Sequence, residues 1–317
     1  MMRLPLLALA AALIAAPAMA APPAGTVWTT LGTNCGPIPN PGRAEPANLL
    51  RHGKQLLLVD VGDGAVDQLG KAGVPFETVD TLFISHHHFD HIGGLFALIG
   101  RRYQVVAPGL LTIYGPPGTR AIVEDIVAAV TAGANGGAVV KGSARRAPAD
   151  MVKVVEIGDG DSVALGDITV RAVANSHYVA LAAGESGPQP LSLSYRFDMP
   201  GRSILYTGDT GPSEKVTALA QGADLLVSEI IDPDAALARL RKSRPDIPEA
   251  TLKLVHDHYR AEHLTPAAVG ELATRAQVKA VVITHNPIAD TGLEAARAGI
   301  TALYKGPVTM AADLDNF

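Results

Sequence analysis

Cys35 is the single cysteine of this 317-residue chain. No disulfide can close within it, so stability must come from a buried core and from what the chain binds. Charge is scarce as well: 18% of residues are charged against 48% hydrophobic, and the formal net charge is −5. A mildly acidic chain is a poor binder of phosphate backbones. No long basic arm offsets that balance, because Arg145-Arg146 and the run from Arg239 to Arg244 are short. Nucleic acid is therefore not an expected partner. Short-period repeats are missing, and beyond residue 20 no stretch is long and apolar enough to span a bilayer.

The one long apolar run stands at the start. Met1-Met2-Arg3 supplies a positive charge, Leu4 to Ala20 is rich in alanine and leucine, and Ala18-Met19-Ala20 is an A-x-A cleavage pattern. The expectation is a signal peptide over residues 1–20 and a mature domain over 21–317. The expected location is periplasmic or secreted, with no membrane anchor expected after cleavage. Loss of Arg3 would make the chain one unit more acidic.

What the chain has is histidine in a dense cluster. His86-His87-His88-Phe89-Asp90-His91 reads H-x-H-x-D-H, follows the apolar run Leu82-Phe83-Ile84 and precedes Gly93-Gly94. Imidazole and carboxylate together suit zinc, iron or manganese. A buried strand that delivers such a loop points to a metal-dependent hydrolase.

Apolar runs predict strands near Thr26-Val27-Trp28 and over residues 55–60, 79–85, 104–107, 112–114, 152–156, 162–165, 169–174, 192–198, 203–206, 225–229 and 279–284. Helical spacing predicts helices over 65–72, 95–100, 119–132, 234–242, 248–258 and 266–275, the last with Thr265 as N-cap. Two β-rich halves with interleaved helices suggest an α/β fold, two sheets face to face with helices outside. Insertions at 134–150, 178–191 and 233–260 are expected to shape the pocket.

The whole pattern resembles the metallo-β-lactamase superfamily, an αβ/βα sandwich. The resemblance rests on five marks in order: the strand Leu57-Leu58-Val59-Asp60-Val61-Gly62, the cluster at 86–91, His177, Tyr206-Thr207-Gly208-Asp209-Thr210 and Val281-Val-Ile-Thr-His285. It implies two divalent cations, zinc first. His86, His88 and His177 would hold one, Asp90, His91 and His285 the other, with Asp209 bridging. Asp60 would orient the histidine loop from behind, and His87 would face away. A metal-bridged hydroxide would be the nucleophile, with Asp90 accepting its hydrogen bond.

Asp209, with Glu262-His263-Leu264-Thr265-Pro266, resembles the ribonuclease Z, arylsulfatase-like and phosphodiesterase branch. His263 is then the candidate general acid or oxyanion stabiliser and Glu229 the acid that orients it, with His258 as competitor. The expected function is an exported hydrolase of a small phosphodiester or sulfate ester, and a homodimer is allowed. Alternatives are a periplasmic β-lactamase or lactonase, a ribonuclease Z-like tRNA 3′ endonuclease, against which the leader argues, and a non-catalytic metal-binding protein. Cys35 is expected to be an inert thiol, and Arg43 either meets an anionic substrate or is solvated.

Overall fold

Continuous apolar runs become parallel strands buried on both faces, because helices and a second sheet cover them. The computed structural model describes residues 25–134, 146–179 and 189–317. The expected signal peptide and most of the expected insertions at 134–150 and 178–191 lie outside these described residues.

The chain runs β1 (Thr26–Gly32), β2 (Ala47–His52), β3 (Gln55–Val61), α1 (Ala65–Lys71), β4 (Thr81–Phe83), α2 (Phe89–Ile92), α3 (Leu95–Gln104), β5 (Leu111–Gly115), α4 (Thr119–Ala134) and β6 (Val152–Glu156). It continues through β7 (Ser162–Leu165), β8 (Ile168–Ala174), β9 (Leu193–Met199), β10 (Arg202–Tyr206), α5 (Glu214–Leu219), β11 (Leu225–Ser228), α6 (Pro233–Ser243) and α7 (Glu249–Glu262). The last elements are α8 (Pro266–Arg275), β12 (Val281–Ile283), α9 (Leu293–Leu303), β13 (Val308–Met310) and β14 (Asp315–Asn316). One seven-stranded sheet has the order β14-β1-β2-β3-β4-β5-β6 and the other the order β13-β12-β11-β10-β9-β8-β7.

Both sheets are mixed. Strands β3 to β6 run parallel and β14 to β3 antiparallel. In the second sheet β10 to β13 run parallel and β7 to β10 antiparallel. Trp28, Phe83, Tyr195, Phe197 and Tyr206 fill the space between the sheets, while separate apolar layers lie between each sheet and its helices. This is the expected αβ/βα sandwich.

The predicted strand at 104–107 does not form. Leu95, Leu98, Ile99 and Arg102 share one buried face of α3, and the Arg102 guanidinium donates to the carbonyls of Glu77 (2.7 Å), Val79 (2.6 Å) and Gly109 (3.0 Å). Helical periodicity therefore carries the chain as far as Gln104, and Val106 turns it at φ 54° where a strand would stay extended. Strand β2, helices α5 and α9 and strands β13 and β14 are additions to the expectation. β14 departs from the two-halves reading, because the end of the chain returns to pair with β1.

The parallel strands of both sheets end at one edge of the sandwich, the usual place for a site in an α/β sheet. Residues that follow β4, β10, β11 and β12 meet there. Leu193 N–H donates to Ser85 O at 2.9 Å and the Tyr195 hydroxyl to Ile84 O at 2.6 Å, which ties the strand end before the histidines to the opposite sheet.

Candidate metal centre and active site

Asp60, at the end of β3, organises the histidine loop from inside the protein. Its Oδ1 accepts the Ser85 backbone N–H at 2.7 Å. Its Oδ2 accepts the Ser85 hydroxyl (2.8 Å), the Tyr206 hydroxyl (2.7 Å) and His91 Nδ1–H (2.8 Å). Asp60 is fully buried and sits at φ 57°, a backbone region that a non-glycine residue holds only when its surroundings fix it.

This network fixes the tautomers around the site. With its own proton given to Asp60, Ser85 Oγ is left to accept His86 Nδ1–H at 3.0 Å. His177 donates Nδ1–H to the carbonyl of Glu262 at 3.0 Å. In each case Nε2 is left as a bare acceptor, and it points with His91 Nε2 into the same small volume. His88 enters from the other side, with Nδ1 3.0 Å from His177 Nε2.

Asp209 lies among them, 2% exposed. Its Oδ1 is 3.2 Å from His91 Nε2, and its Oδ2 is 3.2 Å from His285 Nε2 and 3.9 Å from both His86 Nε2 and His177 Nε2. Asp90 Oδ2 is 3.4 Å from His285 Nε2 and 3.7 Å from His91 Nε2, and also accepts the Gly36 backbone N–H at 2.8 Å. Gly208 sits at φ 57°, and a Cβ there would come 3.0 Å from Ser85 Cβ. The turn before Asp209 thus needs a glycine to approach the histidine loop so closely.

The chemistry of the donors fits divalent cations. Ligand atoms of His86, His88, His177 and Asp209 lie within 4.8 Å of one another, as do those of Asp90, His91 and His285. His86 Nε2, His91 Nε2 and Asp209 Oδ1 are buried without a hydrogen-bond partner. Buried polar atoms are normally satisfied, and a cation would complete these. Burial keeps His86 neutral well below the usual histidine range and lowers His177 to about 3, as nitrogen ligands require. Burial opposes charge on Asp209, but His285 and His91 outweigh it and hold the carboxyl well below its ordinary value. Burial likewise disfavours charged His91, and there Asp209 and Asp90 prevail and raise it.

His87 is turned away, with Nε2 2.8 Å from Thr119 Oγ1. Glu229 follows β11 and is also near Asp209 and His285. Both of its oxygens are committed, Oε1 to the Thr210 N–H (2.6 Å) and Oε2 to His263 Nδ1–H (2.7 Å). That favours an orienting part over a ligand part. Burial disfavours charge on both partners and raises Glu229. For His263 the attraction and hydrogen bond of Glu229 outweigh burial and hold its pKa above the ordinary value.

His263 is 7% exposed and stacks on His285 with ring centres 6.2 Å apart. His258 lies on α7, half-exposed, with Nδ1 2.9 Å from Glu262 Oε2 and its ring 5.5 Å from His263. Above these groups opens a cleft of about 790 Å³. Its walls include the 34–43 loop, Phe89, and Leu240 and Tyr259 from α6 and α7. Arg43 and Arg239 line it, and neither forms an ion pair among the described residues. Cys35 is half-buried in the same wall.

Sequence reasoning missed Ser85, Tyr206 as an Asp60 partner, Tyr178 and Arg239. Tyr178 packs its ring 5.0 Å from His177 and 5.3 Å from His88. Adjacency to the motifs was the available signal, since Ser85 precedes the cluster, Tyr178 follows His177 and Tyr206 opens the Thr-Gly-Asp turn.

Comparison with known proteins matches residues 57–286 to the beta-lactamase superfamily domain. A ribonuclease Z of Mycobacterium bovis is 30% identical over 260 residues, 81% of this chain and 84% of that relative. A ribonuclease Z of Mycolicibacterium gilvum is 31% identical over 81% of this chain and 82% of its own length. Among solved structures, the metallo-beta-lactamase fold protein YhfI from Bacillus subtilis has TM-score 0.67 at 20% identity, covering 92% of this chain and 99% of its own. The short form of human tRNase Z has TM-score 0.61 at 22% identity, covering 92% and 98%.

These relatives overturn two expectations. A small phosphodiester or sulfate ester cleaved after export is not the reading they support, and a chain without nucleic-acid partners is not either, since the relatives' names specify ribonucleases. The acidic net charge misled because phosphate binding depends on the local field in a cleft rather than on the sum over the surface. Here the cleft carries Arg43 and Arg239.

Proposed function

This chain belongs to the beta-lactamase superfamily as a metal-dependent hydrolase, and from that premise we propose that it is a ribonuclease Z-type endonuclease cutting a phosphodiester at the 3′ side of tRNA. The observation that carries the reading is the likeness to ribonuclease Z along more than four-fifths of those relatives' length. The buried Glu229–His263 pair beside the ligand cluster supports it, as do two cleft guanidiniums, Arg43 and Arg239, without a carboxylate partner among the described residues.

Two divalent cations, zinc in the first instance, would be held by His86, His88 and His177 and by Asp90, His91 and His285, with Asp209 between them. Such ions lower the pKa of bound water and stabilise charge on phosphate oxygens. The protein's own groups do the rest. Asp90 accepts a hydrogen bond from the attacking water and aligns it; the proton that this water gives up leaves to solvent, from which His263 regains its own after the cut. As the new P–O bond forms and the ester P–O bond breaks, the departing oxygen takes a proton from His263 Nε2. Glu229 keeps that imidazole oriented and charged through Nδ1. Arg43 and Arg239 neutralise neighbouring phosphates, and the cleft walls keep bulk water from the reacting atoms.

The test is incubation of metal-loaded protein with a precursor tRNA carrying a 3′ trailer, against an unstructured RNA of equal length. One cut that releases the trailer from the precursor alone is the expected result. No cleavage of the precursor, with bis-p-nitrophenyl phosphate still hydrolysed, would reject the substrate while leaving the hydrolase.

A further inference from the structure

Phe89 occupies the position between His88 and Asp90, yet its ring is 77% exposed. A single exposed apolar residue is ordinary on a protein surface. Phe89 is not single. Ile38, 65% exposed, lines the same cleft from the 34–43 loop. Two hydrogen bonds bring that loop up to the histidine loop and close it. The Gly36 N–H donates to Asp90 Oδ2 at 2.8 Å, and the Asn34 side-chain amide donates to Ile38 O at 3.1 Å.

The approach leaves no slack. A Cβ at Gly36 would come 2.4 Å from Asp90 Cβ. Phe89 stands where its neighbours His88, Asp90 and His91 turn to the cluster, and its ring lies beside Gly93, where a Cβ would come 3.2 Å from Phe89 Cε1. The two apolar groups therefore line the cleft beside the candidate reacting centre.

We propose that Phe89 and Ile38 form a base-binding subsite, in which Phe89 stacks on the nucleobase next to the scissile phosphate and Ile38 closes on its other side. The inference deepens the ribonuclease reading and rests on it for the identity of the ring. Three features point to a nucleobase. An exposed aromatic ring suits a planar π-face and is indifferent to which base presents it. The subsite opens into the catalytic cleft, so the ring and the phosphate of one nucleotide can engage together. Arg43 and Arg239 stand in the same cleft to meet the charge that accompanies the base.

Direct binding tests the subsite without relying on turnover. Adenosine 5′-monophosphate and ribose 5-phosphate carry the same sugar and phosphate and differ by the base. Titration calorimetry on the metal-loaded wild-type protein is expected to show about tenfold tighter binding of the nucleotide, as stacking on one aromatic ring provides. In Phe89→Ala the preference should vanish. In Phe89→Trp it should persist, with the new indole quenched by adenosine monophosphate and not by ribose phosphate. Trp28 is fully buried and gives a constant background.

Equal affinity of wild-type protein for the two ligands would overturn the subsite, as would a preference that survives Phe89→Ala. The two readings fail separately. A nucleotide preference without precursor cleavage removes the tRNA substrate and keeps the subsite. Precursor cleavage without that preference removes the subsite alone.

Discussion

Beneath the floor of the cleft, Asp60 binds Ser85 twice, Tyr206 and His91, and every neighbour is buried. At the rim, Phe89 and Ile38 stand mostly in solvent, and α6 and α7 carry ion pairs such as Arg241–Glu249 and Lys253–Asp257 that are themselves exposed. Surface pairs of that sort contribute little to stability. The floor is thus over-determined by a connected network, in which a half-satisfied member would be costly. The rim is held by local contacts and can vary without disturbing the chemistry. The difference teaches where the reaction resides and where its target is chosen.

Asp209→Ala should break the comparison most severely. It removes the carboxylate that faces both ligand groups, so metal content measured by mass spectrometry should fall and hydrolysis of any diester should drop by about 10³-fold. If metal and activity both persist, the floor is not the reaction centre.

His263→Ala should separate chemistry from metal binding. Loss of a general acid costs about 10²-fold in kcat, while metal content should stay near that of wild type because His263 faces Glu229 and the cleft. A parallel loss of metal would instead make His263 part of the floor.

Glu229→Gln refines this with pH. The Glu229 carboxylate raises the pKa of His263. The proton-donating imidazolium is complete below roughly pH 6.5, the ordinary histidine value, and is lost as pH rises through the raised one. The stability that the pair contributes follows the same course, present at low pH and lost above. Removing the negative charge lowers that pKa, so the alkaline limb of kcat should move to lower pH. The variant should be about tenfold slower above neutrality and closer to wild type in acid. An unmoved limb would show that His263 does not carry the titrating proton.

The floor was legible in the sequence and the rim largely was not, for a physical reason. Several candidate ligand residues follow buried strands, and such strands announce themselves as apolar runs. Leu82-Phe83-Ile84 pointed to the cluster at 86–91, and Val281-Val282-Ile283 pointed to His285. Glu229 ends the apolar run from Leu225, whereas His263 follows a helix and is read only through the resemblance that Glu262-His263-Leu264-Thr265-Pro266 carries. Periodicity failed at Gln104–Ala107, where a buried arginine extends a helix that β-branched residues seemed to close. It was silent on β14, whose pairing with β1 spans nearly the whole chain and has no local signal. The substrate was misread from two global properties, net charge and the N-terminal apolar run. Neither reports on the cleft, which two arginines and an exposed phenylalanine line.

Arg239→Ala is the gentlest test of the rim. The guanidinium donates to the Pro287 carbonyl from its place on α6 and has no carboxylate partner among the described residues, so its charge is available to a phosphate. Each phosphate contact to single-stranded nucleic acid contributes about 0.7 to the slope of log affinity against log salt. The variant should therefore raise KM for precursor tRNA by a few fold, hold kcat, and flatten that slope by about 0.7. A small diester has no second phosphate for Arg239 to meet, so its KM should move less than that of the RNA. If the two substrates shift equally, Arg239 acts on the reacting phosphate itself, and the boundary between floor and rim must be drawn further out, beyond α6.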